Sequence, residues 1–378
     1  MLRKGHYGVQ LDAEAWDRLI TWIDLNVPDH GTWGEHRQIA GDYHAQRMAA
    51  RAKYAYDDLD PEAYPTPPPA PVAFVKPAPL PQIKNLHSAI GNIWPFDAAE
   101  AKKKQESAGL PKTLSVDLNA TQKLELVLIP AGEFIMGNAA GARDEQPTCR
   151  VQIQKPFYVA KFEISNAQYG LLDPAHDSGF VSQFNKDHST AGVPARQDRQ
   201  PAIRLPWNSA QAFCDWLSKK TGKKFALPTE AQWEWACRAG AATPMSYGAQ
   251  DVNFAKLANL ADDRLTGLLV GNSPIWLPRV VGVNDGATVT AACGSYAPNA
   301  WGLCDLHGNA AEWTRTTYKP YPYADDGRDR GDAAGLKVAR GGSFYDRPQR
   351  ATSSYRYAYP AWQPVFNVGF RVVCEDAK

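Results

Sequence analysis

Apolar and polar residues alternate in several short stretches of the chain, which is the pattern of half-buried strands. Leu124, Leu126 and Leu128 share one face of KLELVLI, which leads into a Pro-Ala-Gly turn and a second apolar run, EFIM. The stretch VQIQKPFYVAKFEIS (151–165) predicts a further pair of strands, followed by a helix that opens at Ser165 or Asn166. This pattern predicts a strand-containing domain that starts near residue 112.

A helical period replaces the alternation between residues 208 and 222. Asn208 or Ser209 is the expected N-cap, and Gly222 the expected end. The apolar stripe of this helix consists of Ala210, Phe213, Cys214 and Leu217.

A second helix is predicted from Thr229 to Gly240, with Gln232 at the capping-box position. Beyond it, residues 241–378 contain only short strand-like pieces between Gly, Asn, Pro and Asp turns. Such long irregular connections are usually functional, or are held by something other than a strand ladder.

The N-terminal third differs in character. Residues 11–27 have a helical stripe, a second polar helix is predicted over about 35–55, and nine prolines fall within residues 61–81. Such a proline run favours an extended linker. We therefore expect three parts: an N-terminal helical segment (1–60), a proline-rich linker with a short polar helix (61–111) and a main domain (112–378).

Composition excludes several classes of protein. Lys and Arg number 41 against 40 Asp and Glu, so there is no domain-wide basic surface for nucleic acid. Mean hydropathy is −0.43, and no apolar run reaches the ~18 residues that a membrane-spanning helix needs. The first 16 residues have no apolar signal-peptide core. The chain is thus either cytosolic or a mature piece of a longer protein.

Four segments, in order and spacing, resemble the formylglycine-generating enzyme (sulfatase-modifying factor) superfamily. They are IPAGEFIMGN (129–138), ALPTEAQWEWACRAG (226–240), GLCDLHGNAAEW (302–313) and ARGGSF…NVGFRVV (339–373). The resemblance implies an α+β, C-type-lectin-like fold with little regular secondary structure, often with bound calcium. It also favours an extracytoplasmic location, periplasmic or secreted.

Two candidate calcium sites match the family position by position. Calcium binds six to eight oxygens from carboxylates and backbone carbonyls, so small residues suit the carbonyl positions. The first set is Asp305, Gly308, Ala310 and Glu312, and the second is Asn259, Leu260, Asp285 and Ala287.

The catalytic cysteine pair of the family is missing. Family oxidase chemistry is copper-dependent and needs two thiols shortly after Gly-Gly-Ser, but no cysteine lies between residues 305 and 373. We therefore expect no copper site of that kind. A second branch of the superfamily forms sulfur–carbon bonds with iron held by histidines; His36 and His44 lack the accompanying carboxylate pattern.

Aromatic and arginine side chains replace the thiols. Tyr355, Tyr357 and Tyr359 alternate, which on a strand places a row of tyrosines on one face. Tyr, Trp and Arg are the residue types of recognition surfaces. The predicted ligand-binding residues are Ser343, Tyr345, Asp346, Arg347, Arg350, Arg356 and Trp362.

The leading hypothesis is a calcium-stabilised module that binds or scaffolds a peptide, protein or glycan, and that is not an enzyme. One alternative is a metal-dependent oxidoreductase, of the formylglycine-generating or sulfur–carbon-bond-forming type. Another is a subunit of a larger assembly that docks through residues 1–111.

Overall fold

The computed structural model describes residues 93–182, 192–268 and 279–376, with isolated positions 45, 48, 49 and 52. The chain separates into two units, Met1–Pro77 and Ala78–Lys378, and every element below belongs to the second. The helix predicted over 11–27 and the proline run 61–81 lie outside the described residues, and of the helix predicted over 35–55 only the four isolated positions are described.

The described chain is α+β with short elements and long connections, as predicted. The helices are α1 (Ala98–Ser107), α2 (Asn166–Tyr169), α3 (Trp207–Thr221) and α4 (Glu230–Arg238). The strands are β1 (Thr113–Asp117), β2 (Lys123–Ile129), β3 (Gly132–Met136), β4 (Cys149–Ile153), β5 (Phe157–Ala160), β6 (Phe180–Val181), β7 (Val193–Pro194), β8 (Phe225–Ala226), β9 (Ala311–Thr317), β10 (Leu336–Arg340), β11 (Tyr357–Pro360), β12 (Val368–Gly369) and β13 (Val373–Cys374).

Two larger sheets organise these strands. One has the order β1-β2-β5-β13-β8 and is antiparallel throughout. The other has the order β11-β10-β9-β12, and only its β9–β12 pairing is parallel. Strands β3 and β4 form a hairpin-like pair, and so do β6 and β7. Among the described residues, no helix has the length and apolar character needed to cross a membrane.

The first large sheet separates two hydrophobic cores. Leu124, Leu126 and Leu128 of β2 pack with the stripe of α3, as the alternation predicts. The intervening residues Val127 and Ile129 are buried as well, in a second core that contains Trp235 of α4. Strand β2 is therefore covered on both faces, because α4 and the β3–β4 pair lie on the side that the pattern alone would leave half-exposed.

The two predicted helices are present. The Thr229 hydroxyl caps α4 and Gln232 completes its capping box. Helix α3 ends at Gly222, whose φ of +70° suits glycine. Its predicted N-cap is wrong, because α3 begins at Trp207 and its cap is Pro206, two residues before Asn208, without a side-chain hydrogen bond. Proline suits this position because the N–H it lacks would have no intrahelical partner.

Helix α1 lies before residue 112 and is bonded into the second core. The Gln105 side-chain amide donates to the backbone oxygens of Leu128 (2.8 Å) and Trp301 (3.3 Å). In return, the Trp301 indole N–H donates to the Ala101 carbonyl at 3.1 Å. Trp94, just before the helix, is also buried in this core.

Candidate functional site

The two candidate calcium sets, far apart in sequence, meet in the fold. Asn259 forms an isolated parallel bridge with Gly308. The Asn309 N–H donates to the Asn259 carbonyl at 2.8 Å, and the Asn259 amide donates back to Asn309 Oδ1 at 3.0 Å. Gly308 has a φ of +88°, and a Cβ there would lie 2.0 Å from the Asn259 carbonyl oxygen, so only glycine fits this crossing.

Asp305 of the first set is buried and only half satisfied. One carboxylate oxygen, Oδ2, accepts the Gly294 N–H at 2.5 Å, whereas Oδ1 is buried and has no hydrogen-bond partner among the described residues. Burial raises the pKa of Asp305 to about 6. A buried carboxylate oxygen without a partner is costly, so a cation beside Asp305 would stabilise the ionised form.

Both carboxylate oxygens of Glu312, in the same set, already accept hydrogen bonds within the protein. Its Oε1 accepts from Arg371 Nη2 at 2.6 Å, and its Oε2 accepts from Arg371 Nε and from the Trp233 indole N–H, each at 2.7 Å. Both charged side chains are fully buried. Asp305 is therefore the carboxylate of this set that has an oxygen available for a cation.

The second set has its own oxygen without a partner. Asn259 Oδ1 is buried and accepts no hydrogen bond from the described residues, while its amide nitrogen donates to Val289 O and Asn309. Asp285 accepts the N–H groups of Leu260 (3.0 Å) and Ala287 (2.9 Å), which brings the four members of this set together. Burial, with a smaller contribution from the neighbouring Asp262, raises the pKa of Asp285 to about 7.

Glu163 is a third acidic group here that the sequence reasoning missed. It is 1% exposed and accepts from the Asn309 side chain (3.0 Å) and the Ala310 N–H (3.1 Å). Burial is the main cause that raises its pKa, and Asp305 and Glu312 add to it. The signal available was a lone Glu between Phe162 and Ile164 in an apolar stretch.

The donor chemistry suits calcium better than a transition metal. Among the described residues, no three His, Cys, Asp or Glu side chains converge in a metal-holding cluster. Calcium does not need such a cluster, since carbonyl and amide oxygens supply much of its coordination. The buried Asn259 and Asp305 oxygens without partners fit that kind of ligand.

The loop after Gly341-Gly342 is turned inward. Ser343 is fully buried, and its hydroxyl donates to Asp346 Oδ2 at 2.6 Å and accepts from the Asn367 amide at 2.8 Å. Asp346 is 7% exposed, and burial raises its pKa. The prediction that Ser343 and Asp346 contact a ligand needs correction, because these side chains bond to each other inside the protein.

The prediction that Arg356 contacts a ligand also needs correction. It is buried, and its guanidinium donates to Glu230 through Nε (2.6 Å) and Nη2 (3.0 Å). Glu230 and Glu234, both fully buried on α4, also bind Arg340. Arg356 is therefore held in the interior by the carboxylates of α4, since a fully paired charge can be buried.

Four of the predicted ligand residues reach solvent. Trp362 is 71% exposed, Arg347 and Arg350 are exposed, and Tyr345 is half-buried against Phe366, with ring centroids 5.5 Å apart. We call these four residues, Tyr345, Arg347, Arg350 and Trp362, the outer surface.

The predicted row of tyrosines is present. The ring centroids of Tyr355 and Tyr357 are 4.9 Å apart, and those of Tyr357 and Tyr359 are 6.2 Å apart. All three tyrosines are half-buried, and Tyr357 and Tyr359 pack against the first core. The row therefore presents only part of its surface to solvent.

The chain is similar to a family model, to two curated relatives and to a solved structure. Residues 112–376 match the family model described as "Sulfatase-modifying factor enzyme 1-like domain". A formylglycine-generating enzyme of Streptomyces coelicolor is 30% identical over 266 residues, 58% of this chain and 78% of the relative. The mouse "Inactive C-alpha-formylglycine-generating enzyme 2" is 26% identical over 299 residues, 68% of this chain and 87% of the relative. The solved structure of PvdO from Pseudomonas aeruginosa has a TM-score of 0.55 and 26% identity, over 70% of this chain and 99% of that one.

Proposed function

Because the chain belongs to the family of sulfatase-modifying factor enzyme 1-like domains, we propose that it is a calcium-stabilised binding or scaffolding module without formylglycine-generating activity. One observation carries this proposal: no cysteine lies between residues 305 and 373, where the family oxidase needs its thiol pair. Ser343, Asp346 and Ser354 of that segment are buried and bonded within the protein. Relatives named as formylglycine-generating enzymes and as an inactive form both match, so the family alone leaves activity open.

Calcium would be held at two neighbouring positions. Asp305 with the loop at Gly308 and Ala310 would hold one ion, and Asn259 with Leu260, Asp285 and Ala287 the other. The support is that each set contains one buried oxygen without a partner among the described residues. Bound calcium would neutralise the acidic groups of this region and add its binding free energy to the stability of the irregular loops.

The ligand would be a peptide or glycan that contacts the outer surface. Trp362 offers a large exposed ring, and Arg347 and Arg350 offer directional donors. Aromatic and arginine side chains often dominate the binding energy of such surfaces.

Two measurements test the enzyme question. The purified protein is incubated with Cu(I) and a cysteine peptide that a formylglycine-generating enzyme oxidises, with such an enzyme as the positive control, and aldehyde formation is followed by mass spectrometry. Metal content is measured after loading with Cu(I), Fe(II) or Ca(II) and desalting. We expect no aldehyde, and calcium as the metal retained. Aldehyde formation, or stoichiometric copper or iron, would favour the oxidoreductase alternative instead.

Peptide and glycan arrays test the binding surface. The Trp362→Ala variant should lose the signals that wild type gives. Val281→Ala is the matched control, because Val281 is an apolar residue with a similar exposure of 75%. Equal loss in both variants would count against the outer surface.

A further inference from the structure

One edge of strand β4 has no strand beside it in the described part of the chain. Its sheet contains only β3 and β4, and no isolated bridge involves residues 149–154. Among the described residues, these six also make no backbone hydrogen bond outside the β3–β4 ladder. In an antiparallel pair, every second residue directs its backbone N–H and C=O away from the partner strand. Strand β4 therefore has a row of backbone donors and acceptors that a further strand can pair with.

This edge borders a groove of about 560 Å³. The groove is lined by an unbroken run of residues, Val151 to Phe157, which comprises the end of β4 and the turn into β5. Side chains alternate between the two faces of a strand, so a groove on one face would be lined by every second residue, whereas an unbroken run indicates contact along the edge. The opposite side of the groove is formed by the first turn of α4 and by Tyr323 and Asp329. An extended segment in this groove would lie beside β4, in position to pair with it.

Asp329 contributes a half-buried carboxylate to the groove. Its oxygens accept hydrogen bonds from the hydroxyls of Thr316 and Tyr323. Arg315 stabilises the charge of Asp329 from a distance but forms its salt bridge with Glu375, at 2.6 Å. Burial is the main cause that raises the pKa of Asp329, so its negative charge is incompletely compensated. A cation in the groove would stabilise the ionised form.

The other charges of the groove leave a negative excess. Glu375 is neutralised, because it also pairs with Lys224 at 2.7 Å. Among the described residues that line the groove, two carboxylates, Asp329 and Asp376, and one ammonium, Lys155, form no salt bridge. A basic ligand is therefore complementary to the groove, and an acidic one is not.

We propose that this groove binds an extended peptide segment that pairs with the free edge of β4 and places a Lys or Arg side chain against Asp329. In such strand addition, main-chain hydrogen bonds provide affinity and alternate side chains provide specificity. A glycan lacks the regularly spaced backbone amides that match a strand edge. The groove includes none of the four residues of the outer surface, so this proposal stands independently of binding there.

The probe is a rhodamine-labelled peptide, Thr-Val-Thr-Lys-Thr-Val-Thr, in which the Lys and both Val side chains share one face of an extended strand. Matched peptides replace the Lys by Gln or by Glu. Affinities for the full chain are measured by fluorescence anisotropy. The Lys peptide should bind about tenfold more tightly than the Gln peptide, as expected for one hydrogen bond between charged groups. The Glu peptide should bind more weakly than the Gln peptide.

Two N-methylated forms of the Lys peptide test the strand pairing. One form is methylated on the backbone nitrogens of its third and fifth residues, and the other on those of its fourth and sixth. Only one of these sets of N–H groups faces β4 in a paired strand. One form should therefore lose affinity by about tenfold or more, because two hydrogen bonds are lost, and the other should keep the affinity of the parent peptide.

Asp329→Asn removes the charge and keeps the volume of the side chain. In this variant the Lys peptide should bind no more tightly than the Gln peptide does. Asp325→Asn is the matched control, because it makes the same change at an exposed carboxylate that does not line the groove. The control should retain the wild-type preference for Lys.

Three results would overturn the proposal: no binding of the Lys peptide by folded wild type, an unchanged preference for Lys in Asp329→Asn, or equal effects of the two methylation patterns. Should Asp329→Asn not fold, the backbone amide NMR signals of residues 151–155 in wild type decide the same question. Signals that do not shift when the Lys peptide is added would reject the groove as its site.

Discussion

Replacing Glu312 by Gln distinguishes its two possible roles, as the structural partner of Arg371 or as a calcium ligand. The substitution keeps the volume and one acceptor oxygen but removes the charge. In the structure, both Glu312 oxygens accept from Arg371, and both side chains are fully buried. We therefore expect the variant to lose stability whether or not calcium is present.

The magnitude follows from the burial of Arg371. Removing one partner of a buried ion pair typically costs about 3–5 kcal/mol, because the remaining charge is left in a low-dielectric interior. Glu163 and Asp305 also stabilise the charged form of Arg371 and so raise its pKa. The charge of Arg371 therefore remains partly neutralised in the variant. We expect a loss at the lower end, about 3 kcal/mol. For a domain of this size that corresponds to a drop of roughly 6–12 °C in melting temperature.

The assay is urea unfolding in EGTA and in excess calcium, comparing midpoints at constant slope. Glu125→Gln is the matched control, because Glu125 is in an exposed pair with Lys161, 3.3 Å apart, whose loss should cost less than about 1 kcal/mol. Asp305→Asn should differ from Glu312→Gln, with a larger loss of stability in the calcium buffer than in EGTA.

A Glu312→Gln variant as stable as wild type in EGTA, and weaker only in calcium, would refute this reasoning. It would mean that Glu312 acts as a cation ligand and that Arg371 is satisfied by its other contacts.

Three further predictions follow from single residues. Gly308→Ala should destabilise the protein and weaken calcium retention, because its Cβ would collide with the Asn259 carbonyl. Unfolding midpoints measure the first effect and metal analysis the second, and unchanged values would contradict the close contact between Gly308 and Asn259. Burial raises the pKa of Asp346 above its ordinary 3.8, so the contribution of Asp346 to native stability falls as pH rises above about 4, and Asp346→Asn, which cannot ionise, should gain stability relative to wild type above that pH; a pH-independent difference in urea midpoints would argue against this. Burial raises the pKa of Cys149 to about 11, so iodoacetamide at pH 8 should leave this thiol unmodified in native protein and should modify it in urea. Peptide mass spectrometry measures the modification, and rapid labelling of the native protein would contradict the burial of Cys149.

The regular elements were predictable because local sequence alone determines them. The stripe of α3 and the capping box at Thr229 and Gln232 each lie within one short segment. The second buried face of β2 was not predictable, because it depends on α4 packing there from 100 residues further along the chain.

The buried charges escaped prediction for a related reason. Arg356 lies among aromatic residues and suggests a recognition surface, yet its position is decided by Glu230, 126 residues away. Glu163 was missed because a single Glu in a short connection after a strand is ordinarily exposed, and its burial depends on the hydrogen bond from Asn309, 146 residues away. Positions of paired buried charges require knowledge of both partners, which no single short segment of the sequence supplies.

The attachment of α1 determines where this protein can be cut. The family match begins at residue 112, but Gln105, Ala101 and Trp94 complete the second core from outside that boundary. A fragment that starts at residue 112 would leave the Trp301 indole N–H without its acceptor and expose apolar surface that the full chain covers. A loss of binding or assembly in such a fragment would then report damage to the core. Deletion of residues 1–92, which spares this helix, is the truncation that can reveal a docking role of the N-terminal segment.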